Sequence, residues 1–205
     1  MSAAQRLAIV GNGPVADGLA EQIDASDMVI RFNEPAGGPD RIGIRTDILF
    51  LMNSGKSMQA RLSTPDFWRS PYFAGASRVI LPYHPSIIAK YHPRPNILSR
   101  LKGRKADWTA ETLEMCGKAG KQAIVLPPEF YEESCEALGI APAARNRVFP
   151  SSGFLGIRYA LLELATPPED IALYGFSWQG WKRHDWGAER AWSEAHLGRK
   201  TNRAC

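Results

Sequence analysis

The chain has 205 residues, 44% of them hydrophobic and 22% charged, with a formal net charge of +4. That length fits one domain with a sizeable core. No window nears the roughly 20 apolar residues needed to cross a membrane, and residues Met1 to Arg6 lack the layout of a cleavable signal, so a cytoplasmic location without membrane insertion is expected.

Six short apolar runs read as buried strands: Leu7–Gly11, Met28–Asn33, Asp47–Met52, Arg78–Pro82, Gln122–Leu126 and Ile171–Gly175. Buried parallel strands are continuously apolar rather than alternating. Between them lie helical patterns over Pro14–Ile23, Asp107–Gly117, Pro128–Leu138 and Phe154–Ala165. The third opens on proline and stops at Gly139, as helices do. Strands alternating with helices predict an α/β fold, a single-domain Rossmann-like sheet, largely parallel and flanked by helices. The domain is expected over residues 1–197, followed by a basic tail from 198 to 205. Pro82 to Pro95 reads as a long loop, a lid or acceptor wall on one reading and a plain surface connection on the other. The basic residues from Lys90 to Lys105 read as a solvated face, and no nucleic-acid fold signature accompanies them.

Three segments carry chemistry. Gly11-Asn12-Gly13-Pro14-Val15-Ala16 follows the first strand and satisfies a loose dinucleotide fingerprint, with glycines that let a phosphate approach the backbone. The acid expected at the end of the second strand to hold an adenosine ribose is absent; the strand ends Arg31-Phe32-Asn33-Glu34, where Arg31 suits a phosphate and Asn33 a ribose or phosphate oxygen. Pro150-Ser151-Ser152-Gly153 precedes an apolar helix: one serine caps it, and the second hydroxyl and the free amides suit an anion. His184 and Glu189 stand in a segment with Trp178, Trp181, Trp186 and Trp192, just after the last strand, where open α/β sheets place ligands. His184 is a base near neutral pH and Glu189 its candidate orienter. Neither the three cysteines, Cys116, Cys135 and Cys205, nor the four histidines have metal-ligand spacing, so no metal is expected.

These residues resemble the sialyltransferases of glycosyltransferase family 29. Ile9-Val10-Gly11-Asn12-Gly13, Ile23-Asp24 through Arg31-Phe32-Asn33, and Gly43-Ile44-Arg45-Thr46-Asp47 are similar to that family's large motif. Pro150-Ser151-Ser152-Gly153 with Tyr174-Gly175-Phe176 is similar to its small motif, and His184 to Glu189 to its very small one. A compact bacterial branch, often labelled urease operon accessory protein, is closer still in length and in its tryptophan-rich end. The resemblance implies a cytidine monophosphate (CMP) sugar donor, usually carrying sialic acid, a hydroxyl acceptor such as a glycan, inversion at the anomeric carbon, and neither metal nor resident cofactor. It implies that Asn12 and Asn33 contact the donor nucleotide, that Ser151, Ser152 and Gly153 hold its monophosphate, and that His184 deprotonates the acceptor. The cysteine pair of secreted members is missing here, in keeping with a reducing compartment. The family's further histidine between the small and very small motifs is missing too, which leaves Lys182 or Arg183 to stabilise the leaving phosphate, or His184 to serve one of the two roles. Two other readings are a non-catalytic nucleotide-binding accessory protein and an NAD(P)-dependent oxidoreductase built on Gly11, Gly13 and Ala16.

Overall fold

The computed structural model describes residues 6–197; the basic tail expected from residue 198 lies outside the described residues, as does Cys205. The six apolar runs form strands β1 (Leu7–Val10), β2 (Met28–Phe32), β3 (Ile48–Phe50), β4 (Arg78–Leu81), β5 (Gln122–Val125) and β6 (Ile171–Tyr174). They pair in one sheet, all parallel, in the order β5-β4-β3-β2-β1-β6. The fold is therefore α/β and Rossmann-like, as its sequence predicts. The chain steps outward from β1 to β5 and then returns to lay β6 on the free side of β1. Strand order reverses between β1 and β6, and the crevice at such a switch point is where open α/β sheets bind ligands.

Side chains alternate across the sheet, which divides the core. Ile9, Ile30, Phe32, Phe50, Ile80 and Leu173 face a large cluster with helices Pro85–Tyr91, Pro128–Ala137, Ser152–Leu162 and Trp186–Leu197. The intervening residues face the opposite way. Leu49, Leu51, Val79 and Leu81 pack with Met58, Phe67, Phe73 and Trp108, while Ala8, Val10 and Val29 pack with Ile23, Ile42 and Tyr72. Helix Ser152–Leu162 lies tight on β2: a Cβ built on Gly156 would stand 2.5 Å from the Phe32 ring. Glycine there sets how closely the start of that helix approaches the strand ends.

Three expectations change. The helix expected over Pro14–Ile23 exists only as Ala20–Asp24, so the glycine segment Gly11–Ala16 opens no helix. Its glycines serve close packing instead. Gly11 N–H donates to Tyr174 O at 2.8 Å and Gly13 N–H to Gly175 O at 2.9 Å, and a Cβ on Gly13 would sit 2.6 Å from the latter oxygen. Without a helix dipole behind the loop, the basis for the oxidoreductase reading is lost. The stretch Pro82–Pro95 is no plain loop, for helix Pro85–Tyr91 forms within it, with proline at its first position and the His84 ring nitrogen accepting from Ser86 N–H. Helices Gly55–Leu62, Pro65–Arg69 and Pro71–Gly75 fill the stretch between β3 and β4, to which the expectations above assign no element.

Candidate active site at the strand switch point

A cavity of about 230 Å³ opens over the carboxyl ends of β1 and β6. Gly11, Asn12 and Gly13 reach it from β1, Phe32 from β2, and the run Gly175 to Gln179 from β6. Ser151, Ser152 and Gly153 close one side, and His184 and Trp186 another. Two left-handed residues stand here, Trp178 in the lining at φ 52° and Asn33 just behind it at φ 53°. Asparagine tolerates that conformation, whereas a tryptophan there stores about 1 kcal/mol or more of strain, of the kind found at functional sites.

Ser151 caps helix Ser152–Leu162, its Oγ accepting from Phe154 N–H at 3.1 Å. The same hydroxyl donates to Glu189 Oε2 at 2.6 Å, while Ser151 N–H donates to Glu189 Oε1 at 2.7 Å. Of the first amides of the helix, which have no intrahelical partner, those of Ser152 and Gly153 are the ones this arrangement leaves for a ligand. With the helix dipole behind them they favour an anion. Glu189 is fully buried, and burial pushes its carboxyl up to about 7 although both Ser151 bonds pull the other way. It braces the serine seat. The expectation that it orients His184 is not met, because both its oxygens are engaged by Ser151.

The His184 ring is oriented instead by the backbone. Its Nδ1 lies 2.7 Å from Phe149 O. A carbonyl only accepts, so Nδ1 carries the proton and Nε2 keeps the basic lone pair. Phe149, Trp181 and Trp186 surround the imidazole with centroids 5.7, 5.3 and 5.0 Å away. This desolvation lowers the pKa of His184 below its ordinary value, against the Phe149 bond that raises it. The ring is thus neutral at physiological pH, the state a general base needs.

The remaining candidates divide. Asn12 lines the cavity, its Nδ2 donating to Phe32 O at 3.2 Å. Asn33 stands just behind, its Oδ1 accepting from Met52 N–H at 3.0 Å and its Nδ2 lying 3.5 Å from Ser152 Oγ. Arg31 is not at the site. Its side chain alternates to the opposite face from Phe32, is fully buried, and donates to Arg45 O at 2.8 Å and Ile42 O at 2.6 Å, with Asp24 at 3.6 Å and the Tyr72 ring at 5.3 Å. It braces the 42–45 loop, which Asp24 also holds through the amides of Ile44 and Arg45. Lys182 and Arg183 do not reach the cavity either: Lys182 is exposed, and Arg183 lies over Trp181 and lines a different cavity. Sequence reasoning missed Ser177 and Gln179, polar lining residues set by the loop that follows β6; nothing in their spacing marks them. Among the described residues no group of three or more His, Cys, Asp or Glu side chains could hold a metal ion, and no helix is long and apolar enough to cross a membrane.

The sequence model of glycosyltransferase family 29 (sialyltransferase) matches residues 2–197. A urease operon 23 kDa accessory protein of Rhizobium meliloti (strain 1021) is 28% identical over 204 residues, covering 95% of this chain and 90% of its own. The match spans the sheet, the serine seat and the histidine wall alike, and the chain belongs to glycosyltransferase family 29.

Proposed function

We propose that this protein transfers sialic acid or a related acidic sugar from a CMP-sugar to an acceptor hydroxyl, with inversion and without a metal ion. The observation that carries the reading is the pairing, across one cavity, of a helix-start anion seat with a neutral, desolvated histidine. The donor monophosphate lies against Ser151, Ser152 and Gly153, and Asn12 meets the nucleotide. As the acceptor oxygen bonds to the anomeric carbon, its proton passes to His184 Nε2. The bond from that carbon to the phosphate oxygen breaks, and its electron pair leaves on CMP. Charge grows on the phosphate at that moment, and the fixed amides and hydroxyls of the seat stabilise it without reorganising. The aromatic wall excludes water, which would otherwise compete as acceptor. The cytoplasm is the proposed compartment.

A second reading, a nucleotide-binding accessory protein without turnover, draws support from the name of the Rhizobium meliloti relative. Thermal shift followed by turnover separates the two. CMP at a hundredfold excess over its dissociation constant adds about 2.7 kcal/mol of stability, whereas uridine and nicotinamide nucleotides leave the melting temperature in place. No shift with CMP overturns both readings. A shift without release of CMP from a CMP-sugar, on any acceptor, leaves the accessory reading standing.

A further inference from the structure

A second cavity, about 780 Å³, is lined on one side by Phe149 and Trp181, the same two rings that press on His184. The two cavities therefore meet at one aromatic wall that contains the candidate base. Lys56, Arg94, Arg104, Lys105 and Arg183 line the second cavity, and no aspartate or glutamate does. These cations come from four separate stretches of chain, so their convergence is a product of the fold. Two are partly engaged: Lys105 with Glu111, and Arg94 with Ala89 O at 3.0 Å. Arg183 keeps a buried Nη1 with no hydrogen-bond partner. The nearby Asp107 accepts at Oδ1 from the Thr109 amide and hydroxyl, and its charge acts on His92 at the cavity wall.

The floor of this cavity adds to its pull on anions. Gly55, Lys56 and Ser57, the first turn of helix Gly55–Leu62, line it, the Gly55 N–H donating to Ala106 O at 2.9 Å. No side chain caps that helix, since the Ser54 hydroxyl turns to His92 Nδ1 at 3.0 Å. Trp181, 52% exposed, offers a flat apolar surface beside the cations. An aromatic plate next to guanidinium groups suits a sugar ring that bears an anionic substituent.

We propose that this cavity is the acceptor subsite and that it selects an anionic acceptor, a sugar carrying phosphate or carboxylate. The proposal rests on the transferase reading for the word acceptor, but not for the anion site itself. An acceptor seated there approaches the first cavity past Phe149 and Trp181 and presents its hydroxyl to His184.

Binding is tested first, with inorganic pyrophosphate titrated calorimetrically into the full chain at low salt, in the presence and absence of saturating CMP. With CMP filling the first cavity, one equivalent is expected to bind, and Arg94→Glu/Arg104→Glu to weaken it at least tenfold with CMP affinity retained; without CMP the serine seat takes up a second equivalent. No binding in the presence of saturating CMP, or equal affinity in the variant, overturns the anion site. Transfer from a CMP-sugar is then compared on a neutral hexose, a hexose phosphate and a hexuronic acid. A tenfold or greater advantage in kcat/KM for either charged sugar, lost in Arg94→Ala/Arg104→Ala, supports the assignment, and equal rates on all three overturn it. If no sugar is accepted at all, the transferase reading fails, while the pyrophosphate titration still decides whether the anion site exists.

Discussion

The two cavities on either side of the Phe149–Trp181–His184 wall hold negative charge by different means. Among the described residues the first has no lysine or arginine in its lining and relies on a helix start, serine hydroxyls and asparagine, whereas the second gathers five cations. Fixed dipoles suit a phosphate that must be bound, lose its sugar and be released, because they stabilise developing charge yet do not trap the product in an ion pair. Side-chain cations suit recruitment, where attraction at a distance raises the encounter rate and tolerates varied ligands. Each cavity also contains a histidine stripped of water by aromatic neighbours: His184 by Phe149, Trp181 and Trp186, and His92 by Tyr83 at 4.6 Å and Phe149 at 5.7 Å. Substitutions at these points test whether the division of labour is real.

The largest effect belongs to the histidine on the shared wall. His184→Ala is expected to lower the single-turnover rate by about 10²- to 10⁴-fold, the usual contribution of a general base, with CMP affinity unchanged. Because burial depresses the pKa of His184, the acid limb of kcat/KM in the parent protein should lie below pH about 6.5. A rate that survives the substitution, or an acid limb at or above the ordinary histidine value, removes His184 as the base.

Next comes stability against acid, governed by the other histidine. Burial pushes His92 down to about 4, against the opposing pull of Asp107. The unfolded chain protonates at about 6.5, so it binds more protons than the native state between those values. Stability is full above about pH 6.5 and is lost as pH falls toward 4, by on the order of 3 kcal/mol at about 1.4 kcal/mol per pH unit. His184 adds in the same direction. Glu189, raised to about 7, opposes them, because its native form holds a proton that the unfolded chain releases above about 4.5. Urea midpoints from pH 7 to 4.5 should therefore fall less steeply in His92→Gln than in the parent. Equal slopes would show that the His92 ring is accessible to protons in the native state, and with it the water-filled character of the second cavity.

How much of this was legible in the sequence depends on whether the signal is local. The strands are read to within a residue or two because a buried parallel strand is apolar at every position, as Leu7–Val10 and Met28–Phe32 show. The serine cap is read from Ser151 and the apolar run behind it, and His184 from its place after β6. Arg31 misleads because a motif is linear while a strand alternates: its neighbours Phe32 and Asn33 turn toward the site, and it turns away to brace the 42–45 loop. Glu189 misleads likewise, five residues from His184 yet bonded to Ser151 across 38 positions of chain. The basic stretch from Lys90 to Lys105 reads as a solvated face because only the fold brings Arg94 and Arg104 opposite Lys56 and Arg183.

The smallest effect tests the dipole-based seat itself. Ser151→Ala removes the cap bond to Phe154 N–H, about 1 kcal/mol, and strips a donor from Glu189 Oε2, whose carboxylate stays buried; one unsatisfied buried group costs about 1–3 kcal/mol. The Ser151 N–H to Glu189 Oε1 bond survives, so the loss should come near 2 kcal/mol in urea denaturation rather than the sum of the two terms. Since the Ser151 bonds are what pull the Glu189 carboxyl down, its pKa should rise further in Ser151→Ala, leaving a protonated, neutral group beneath the seat at pH 7. Glu189→Gln imitates that neutral state directly. If the two residues act as one brace, the double variant costs less than the separate losses combined, with a coupling of 0.5 kcal/mol or more. Strict additivity would mean that Ser151 acts only as a helix cap. Pyrophosphate affinity at the second cavity should be untouched in all three variants, because its cations share no hydrogen bond with the seat; a parallel fall there would show that the two cavities form a single anion site.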